Sequence, residues 1–452
     1  MEKRVKSALR YSVLDGAAYY AMYGFGEYYF AAYALLLNAT DFQLGILATF
    51  PILIASIMQL FSINLMHKFK SRKKSVLALV FLQGLMILPI ILIYHIESYR
   101  LTLLTLLVTL YSIFGWLSNP IWVSWIGDLV PEKIRGKFFS NRQLVASSTM
   151  FVSFIIAGFI LTYAKDNFVN EYAGFAVIFI IAVIARLISV YFLSKQYEPK
   201  LKIKKQDNFS FKQFLKEFKK RYKLGYFNVI IAYLSFMYFG LYITSPYIIA
   251  YLFKDLHFSY LQYVLFTATS LLFELAFLPI WGSFIDKYGP LKILKLTGYL
   301  LPIVPVLLAF SKSLPILILT QVVGGFLWAG FTVSSINFML ETTTKEKRVA
   351  AFAYYNFISG VFIFIGSLIG AYIIKLALEL NLSSISSIFW SKYIIILLLG
   401  ALMRLIAALI FLPKLKDIKV REEISSKDLL IKVVSSFPHR YFHRPINLHT
   451  KK

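Results

Sequence analysis

The chain of 452 residues contains no cysteine, which excludes disulfides, thiolate chemistry and cysteine metal sites together. Its six histidines, His67, His95, His257, His439, His443 and His449, lack the closely spaced His or carboxylate partners of a metal site. Only 15% of residues are charged and 59% are hydrophobic, where soluble domains carry about 25% charged residues. That balance excludes an ordinary soluble enzyme. A phosphate loop is missing too, because Gly136-Lys137 has neither the preceding glycine nor the following Ser or Thr. No metal or other cofactor is expected.

What the chain has instead is twelve long apolar stretches, at 13–37, 42–66, 75–96, 101–126, 143–164, 173–194, 226–253, 260–285, 293–310, 315–340, 349–374 and 393–413. About 20 apolar residues suffice for a helix to cross ~30 Å of hydrocarbon. The expectation is an all-α membrane protein of twelve transmembrane helices. A formal charge of +26 suggests nucleic acid in a soluble chain, but here 40 of the 48 Lys and Arg fall in the N-terminus, the tail and the loops on the same side. By the positive-inside rule both termini are cytoplasmic, and the basic loops face anionic lipid of the cell membrane, with no nucleic-acid partner. The first stretch is too long for a signal-peptide core and is expected to stay as an anchor.

The two halves read as parallel copies. The fourth stretch ends in Asp128 followed seven residues later by Arg135, and the tenth ends in Glu341 followed seven residues later by Arg348. Gly26 matches Gly240 and Arg186 matches Arg404. The expected organisation is a six-helix bundle at 1–194, a linker at 195–225, a second bundle at 226–413 and a basic tail at 414–452. Within the linker Ser210 and Gln213 stand at capping-box spacing, ahead of Phe211, Phe214, Phe218 and Tyr222 on one helical stripe among lysines, as in an interfacial amphipathic helix. The tail is expected to be mostly disordered, with a short helix around Leu429 to Val434.

Between the eighth and ninth stretches stands Gly282-Ser283-Phe284-Ile285-Asp286-Lys287-Tyr288-Gly289-Pro290-Leu291-Lys292. This resembles the G-x-x-x-D-[RK]-x-G-x-[RK] inner-loop signature of the major facilitator superfamily (MFS), and span count and tandem repeat extend the resemblance over nearly the whole chain. Gly282 would let two helices approach, Gly289 would allow a tight turn, and Asp286 would accept hydrogen bonds from a helix end or a cation. The resemblance implies that such an acid latches one conformation, with Arg348 a candidate partner. In the first half the matching positions are Ile63, His67, Lys68, Phe69, Lys70 and Lys73, so no acid stands there. Asp128, Glu132, Arg135 and Arg142 are then left to pair among themselves or with the basic second loop. Asp128 with Arg135, and Glu341 with Arg348, are the expected latches.

A charge at the bilayer centre costs at least ~2.5 kcal/mol, so Glu27, Glu274, Arg186 and Arg404 each call for a reason. The arginines are duplicated in the repeat, which favours a structural or gating role. Glu27 and Glu274 are not duplicated and fall near mid-span, where a carboxylate that binds and releases a proton would couple transport to a proton gradient. Tyr23 and Tyr33 are the expected pore tyrosines among the many on the first helix. These features imply a secondary active transporter of a small molecule, acting as a monomer by alternating access and coupled to protons, with a lean toward apolar or aromatic substrates. An uncoupled facilitator, a membrane-embedded lipid-processing enzyme and a channel are the rivals, in that order.

Overall fold

The computed structural model describes residues 3–131, 134–167, 170–199, 225–343, 348–380, 390–418, 422 and 424–441. The linker helix expected around Ser210 to Tyr222 lies outside the described residues. The first half contains α1 (Lys3–Phe25, resumed at Phe30–Leu36), α2 (Asp41–Met58, continued by Ser62–Phe69), α3 (Arg72–Leu85 and Ile87–Leu92), α4 (Arg100–Leu129), α5 (Arg135–Asn167) and α6 (Tyr172–Ser194). The second half contains α7 (Gly225–Tyr242 and Ser245–Ala250), α8 (Tyr260–Tyr288), α9 (Pro290–Leu300 and Ile303–Ala309), α10 (Leu314–Glu341), α11 (Arg348–Glu379) and α12 (Tyr393–Phe411). With no water in hydrocarbon to satisfy backbone groups, a helix that closes its own hydrogen bonds is what such apolar runs must form.

Eleven of these twelve are long and apolar enough to cross a membrane. In α1, Asp15, Glu27 and eight tyrosines or phenylalanines between Tyr19 and Tyr33 replace aliphatic residues. It nevertheless packs centrally against α5 and α6 and supplies the twelfth crossing. Several helices outrun the apolar stretches that mark them. The fifth stretch starts at 143, for example, whereas α5 begins at Arg135.

The halves repeat each other in packing. α1 packs on α5 and α6, and α2 and α3 pack on α4; six helices later α7 packs on α11 and α12, and α8 and α9 pack on α10. Between halves α5 meets α8 and α2 meets α11, two contacts that exchange when the copies are exchanged. Close approach relies on small residues. At Gly24 an added Cβ would lie 2.6 Å from the Met150 carbonyl oxygen of α5, too close for any other side chain.

At the face away from the termini the halves are tied by polar contacts. Asp41, at the start of α2, accepts from Lys392 Nζ at 2.6 Å and from the Tyr393 hydroxyl at 2.7 Å. Lys254 Nζ donates to the Ala39 carbonyl at 3.3 Å, and the Tyr260 hydroxyl donates to Glu171 at 3.1 Å. This face is closed.

The tail departs from expectation. Ser426–Tyr441 forms a helix, α13, far longer than Leu429 to Val434. Leu429 and Val433, one turn apart, are buried in a cluster with Ile280, Trp281 and Ile285 of α8. Docking of this apolar stripe, which a basic composition conceals, supplies the stability that a short isolated helix lacks.

Candidate functional site

Helix α1 is interrupted at mid-span. Gly26 takes φ −109° and ψ −78°, and a single 3-10 turn, Glu27–Tyr29, follows with Tyr29 N donating to the Gly26 carbonyl at 2.9 Å. Helix α7 breaks at the equivalent place, between Tyr242 and Ser245, just ahead of Pro246. Broken helices at membrane depth occur where the backbone is buried in protein or lines a cavity. The break carries Glu27 at its first position.

Glu27 points into a cavity of about 240 Å³. Its carboxylate accepts from the Tyr111 hydroxyl of α4 at 3.1 Å and from that of Tyr23, one turn earlier on α1. Among the described residues no cation pairs with it, so two phenols alone hold it in place. Tyr19 and Tyr23 form one wall, and Ser112, Trp116 and Asn119 of α4 form another. Gln59 between the two parts of α2, Gln83 of α3 and Asn356 of α11 complete the lining, the last being the contribution of the second half. Asn119, nearest the end of α4 on the side of the termini, is exposed, so the cavity opens toward that face. The amides are uncharged and stand singly in apolar runs, which is why a search for intramembrane charge passes over all of them.

The expected site residues separate at this point. Tyr23 and Glu27 share the cavity, but Tyr33 does not line it. Tyr33 is fully buried among Phe175 and Phe179 of α6, and its hydroxyl donates to the Ile91 carbonyl at 3.2 Å. The 3-10 turn between the two tyrosines alters the register that an unbroken helix would give them. Glu274 lies outside the lining, within electrostatic reach of Tyr28 and Tyr238.

Behind the cavity lies a buried polar network. Arg186 donates to the Gln83 carboxamide oxygen and, at 3.2 Å, to Ser189 Oγ, while its guanidinium lies 4.3 Å from the Tyr19 ring centroid. Ser189 Oγ donates to Asp15 at 2.7 Å, and Asp15 ion-pairs with Arg142 of α5 at 3.3 Å. Arg142 also donates to the Ser12 carbonyl at 3.0 Å and lies 4.2 Å from the Trp122 ring centroid. Asp15 thus supplies countercharge to two arginines, a pairing across 127 residues that spacing does not reveal. Arg404 is equally buried but is held by Thr244 Oγ1 at 3.0 Å. The stems of both arginines lie against glycine: a Cβ would be 3.0 Å from Arg186 Cγ at Gly84 and 2.9 Å from Arg404 Cγ at Gly240.

The loop residues sit at the face of the termini. Asp128 ion-pairs at 2.5 Å with Arg72, a buried residue of the basic second loop that also donates to the Ser124 and Pro199 carbonyls. Glu198 accepts from the backbone N–H of Arg72 at 2.6 Å, capping α3. The side chains of Arg135 and Arg348 lie outside the described residues, so neither seven-residue pairing is seen. Glu341 ends α10 and Arg348 begins α11. Gly289 makes the turn after α8 with φ 91°, a conformation natural only to glycine. Gly282, by contrast, faces open space: a Cβ there meets nothing within 4 Å, so it mediates no helix approach in this conformation. Asp286 is exposed and unpaired among the described residues, and Lys287 ion-pairs with Glu422 of the tail at 3.1 Å.

Two six-helix layers around a polar cavity at a helix break define a polytopic helical transporter architecture. The chain belongs to the Major Facilitator Superfamily, whose family model matches residues 16–248 and 230–445. Among solved structures it is similar to the nucleoside transporter NupG, with TM-score 0.69 and 14% identity over 90% of this chain and 100% of that one. A bacterial homologue of the human lysosomal transporter Spinster, inward-facing and occupied, gives TM-score 0.68 and 12% identity over 92% and 97%. A D-xylose-proton symporter gives 0.64 and 16% over 88% and 96%. Identities this low establish the shared fold. Comparison with curated protein sequences finds no match.

Proposed function

We propose that the protein is a proton-coupled secondary transporter of a small solute, working by alternating access between two rocking six-helix halves, with Glu27 as the coupling acid. The observation that carries this reading is the setting of Glu27: on a helix break, in a cavity lined by both halves, held by Tyr23 and Tyr111 and, among the described residues, by no cation. Such an acid can change protonation as access alternates without breaking an ion pair. On this reading both termini and the cavity mouth face the cytoplasm from the plasma membrane, which is supported by the excess of Lys and Arg in the loops on that side, where they would meet anionic lipid. The closed opposite face, with Asp41 clamped by Lys392 and Tyr393, then corresponds to an inward-open conformation. On this reading the chain acts as a monomer, which is supported by a cavity lined from within one chain, by ten residues of the first half and Asn356 of the second.

The lean toward apolar or aromatic substrates is revised by the lining, which is mainly carboxamide, hydroxyl and carboxylate. The test is proton release or uptake on adding candidate solutes to purified protein in weak buffer. Wild type is expected to exchange a proton with solute and Glu27→Gln to bind without exchange. Solute binding with no proton signal in either protein would leave an uncoupled facilitator.

A further inference from the structure

We propose that the cavity takes a compact, uncharged ring bearing several hydroxyls, a monosaccharide or a cyclitol. This rests on reading the cavity as the transport site. Four carboxamides reach it from four different helices, namely Gln59, Gln83, Asn119 and Asn356. The oxygen of Gln83 is taken by Arg186, which turns its amide nitrogen toward Gly115, itself a lining residue. The carboxamides of Gln59, Asn119 and Asn356 have no hydrogen-bond partner among the described residues. Each offers two N–H donors and a carbonyl acceptor at once.

That donor and acceptor mixture decides the class. An anion is disfavoured because Glu27 faces the cavity and no Lys or Arg is among its lining residues, Arg186 lying behind it with two of its nitrogens on Gln83 and Ser189. An apolar ligand would strand three open carboxamides, and sites built to hydrogen-bond a ligand reject analogues that cannot do so. An organic cation would be served by Glu27, the rings and the amide oxygens, but it offers no acceptor, so the amide N–H groups would be left unpaired. A hydroxyl both donates and accepts, so a polyol satisfies amide, phenol and carboxylate alike. The Trp116 ring supplies a flat apolar wall for the C–H face of a sugar. About 240 Å³ is also below the ~300–1,000 Å³ of pockets for drug-sized ligands, which sets a small ring rather than a drug as the occupant.

The test is ligand-induced thermal shift and calorimetric titration of the purified full chain. The panel would hold pentoses, hexoses and inositol, with benzylamine as cation, benzoate as anion and toluene as apolar aromatic. Saturable binding is expected for at least one sugar or cyclitol and for none of the other three probes. Asn356→Leu and Gln59→Leu, from opposite halves, are each expected to weaken that binding tenfold or more while keeping the wild-type melting transition. Saturable binding of benzylamine, benzoate or toluene in place of a polyol overturns the class and leaves coupling at Glu27 standing. Failure of every polyol up to tens of millimolar overturns it as well, as does polyol binding that both Leu variants leave unchanged. Polyol binding without proton exchange has the opposite effect: it removes the coupling role and keeps the class.

Discussion

Replacing Asp41 by Asn should open the face that the structure shows closed. Asp41 is the common acceptor for Lys392 and Tyr393, and the Lys392 and Asp41 side chains are 21% and 13% exposed. Exposed ion pairs contribute about 0–1 kcal/mol, whereas breaking a fully buried pair costs about 3–5 kcal/mol. A pair of this intermediate burial is therefore expected to contribute about 2 kcal/mol to the closed arrangement, or roughly 30-fold in its population relative to the open one. The absence of cysteine makes the assay clean, because Ser112→Cys on the cavity wall would be the only thiol in the chain. An impermeant maleimide added on the side of the α1–α2 loop should label it roughly 30-fold faster in the Asp41→Asn background. Adding Lys392→Met to Asp41→Asn should bring no further tenfold increase, since both act through one contact. Labelling of the Asp41→Asn protein within twofold of its parent would refute the clamp.

Three further outcomes follow from the packing. Arg142→Met leaves Asp15 buried beside a lost partner, and destabilisation of about 3–5 kcal/mol is expected; thermal denaturation in detergent should show a large fall, with Arg142→Met, Asp15→Asn recovering part of it. Gly24→Ala would place a Cβ 2.6 Å from the Met150 carbonyl oxygen, so α1 and α5 must separate and transport should fall at least tenfold even where the protein remains folded. Leu429→Ala removes a fully buried contact of the tail helix, costing about 2–5 kcal/mol of docking; hydrogen exchange over 426–434 should accelerate while α8 stays protected.

The parts of this molecule that announce themselves in sequence are those with a hydropathic signature. Twelve crossings and the matched pair Arg186 and Arg404 follow from apolar length and from charge out of place. Glu27 stands out for the same reason, and Gly24 and Gly26 beside it mark a weak point in the helix. The carboxamides escape notice because Gln59, Gln83, Asn119 and Asn356 are neutral and isolated, so only their convergence from four helices makes them a site. The Asp15 to Arg142 pair is equally silent, since its members lie 127 residues apart and Asp15 stands at the start of the first apolar stretch, where acids are ordinary. Tyr33 illustrates a different limit. One 3-10 turn separates it from Tyr23, and that local change of register moves it from a cavity wall into the packing of α6.

The most direct test of the central claim, that Glu27 couples solute movement to protons, is solute flux in proteoliposomes under an imposed pH gradient. The labelled solute would be whichever polyol binds in the panel. Wild-type protein is expected to concentrate it against its gradient while the pH difference lasts, and Glu27→Gln to equilibrate it while retaining solute exchange. Gradient-driven accumulation by Glu27→Gln equal to that of the wild type would contradict the assignment.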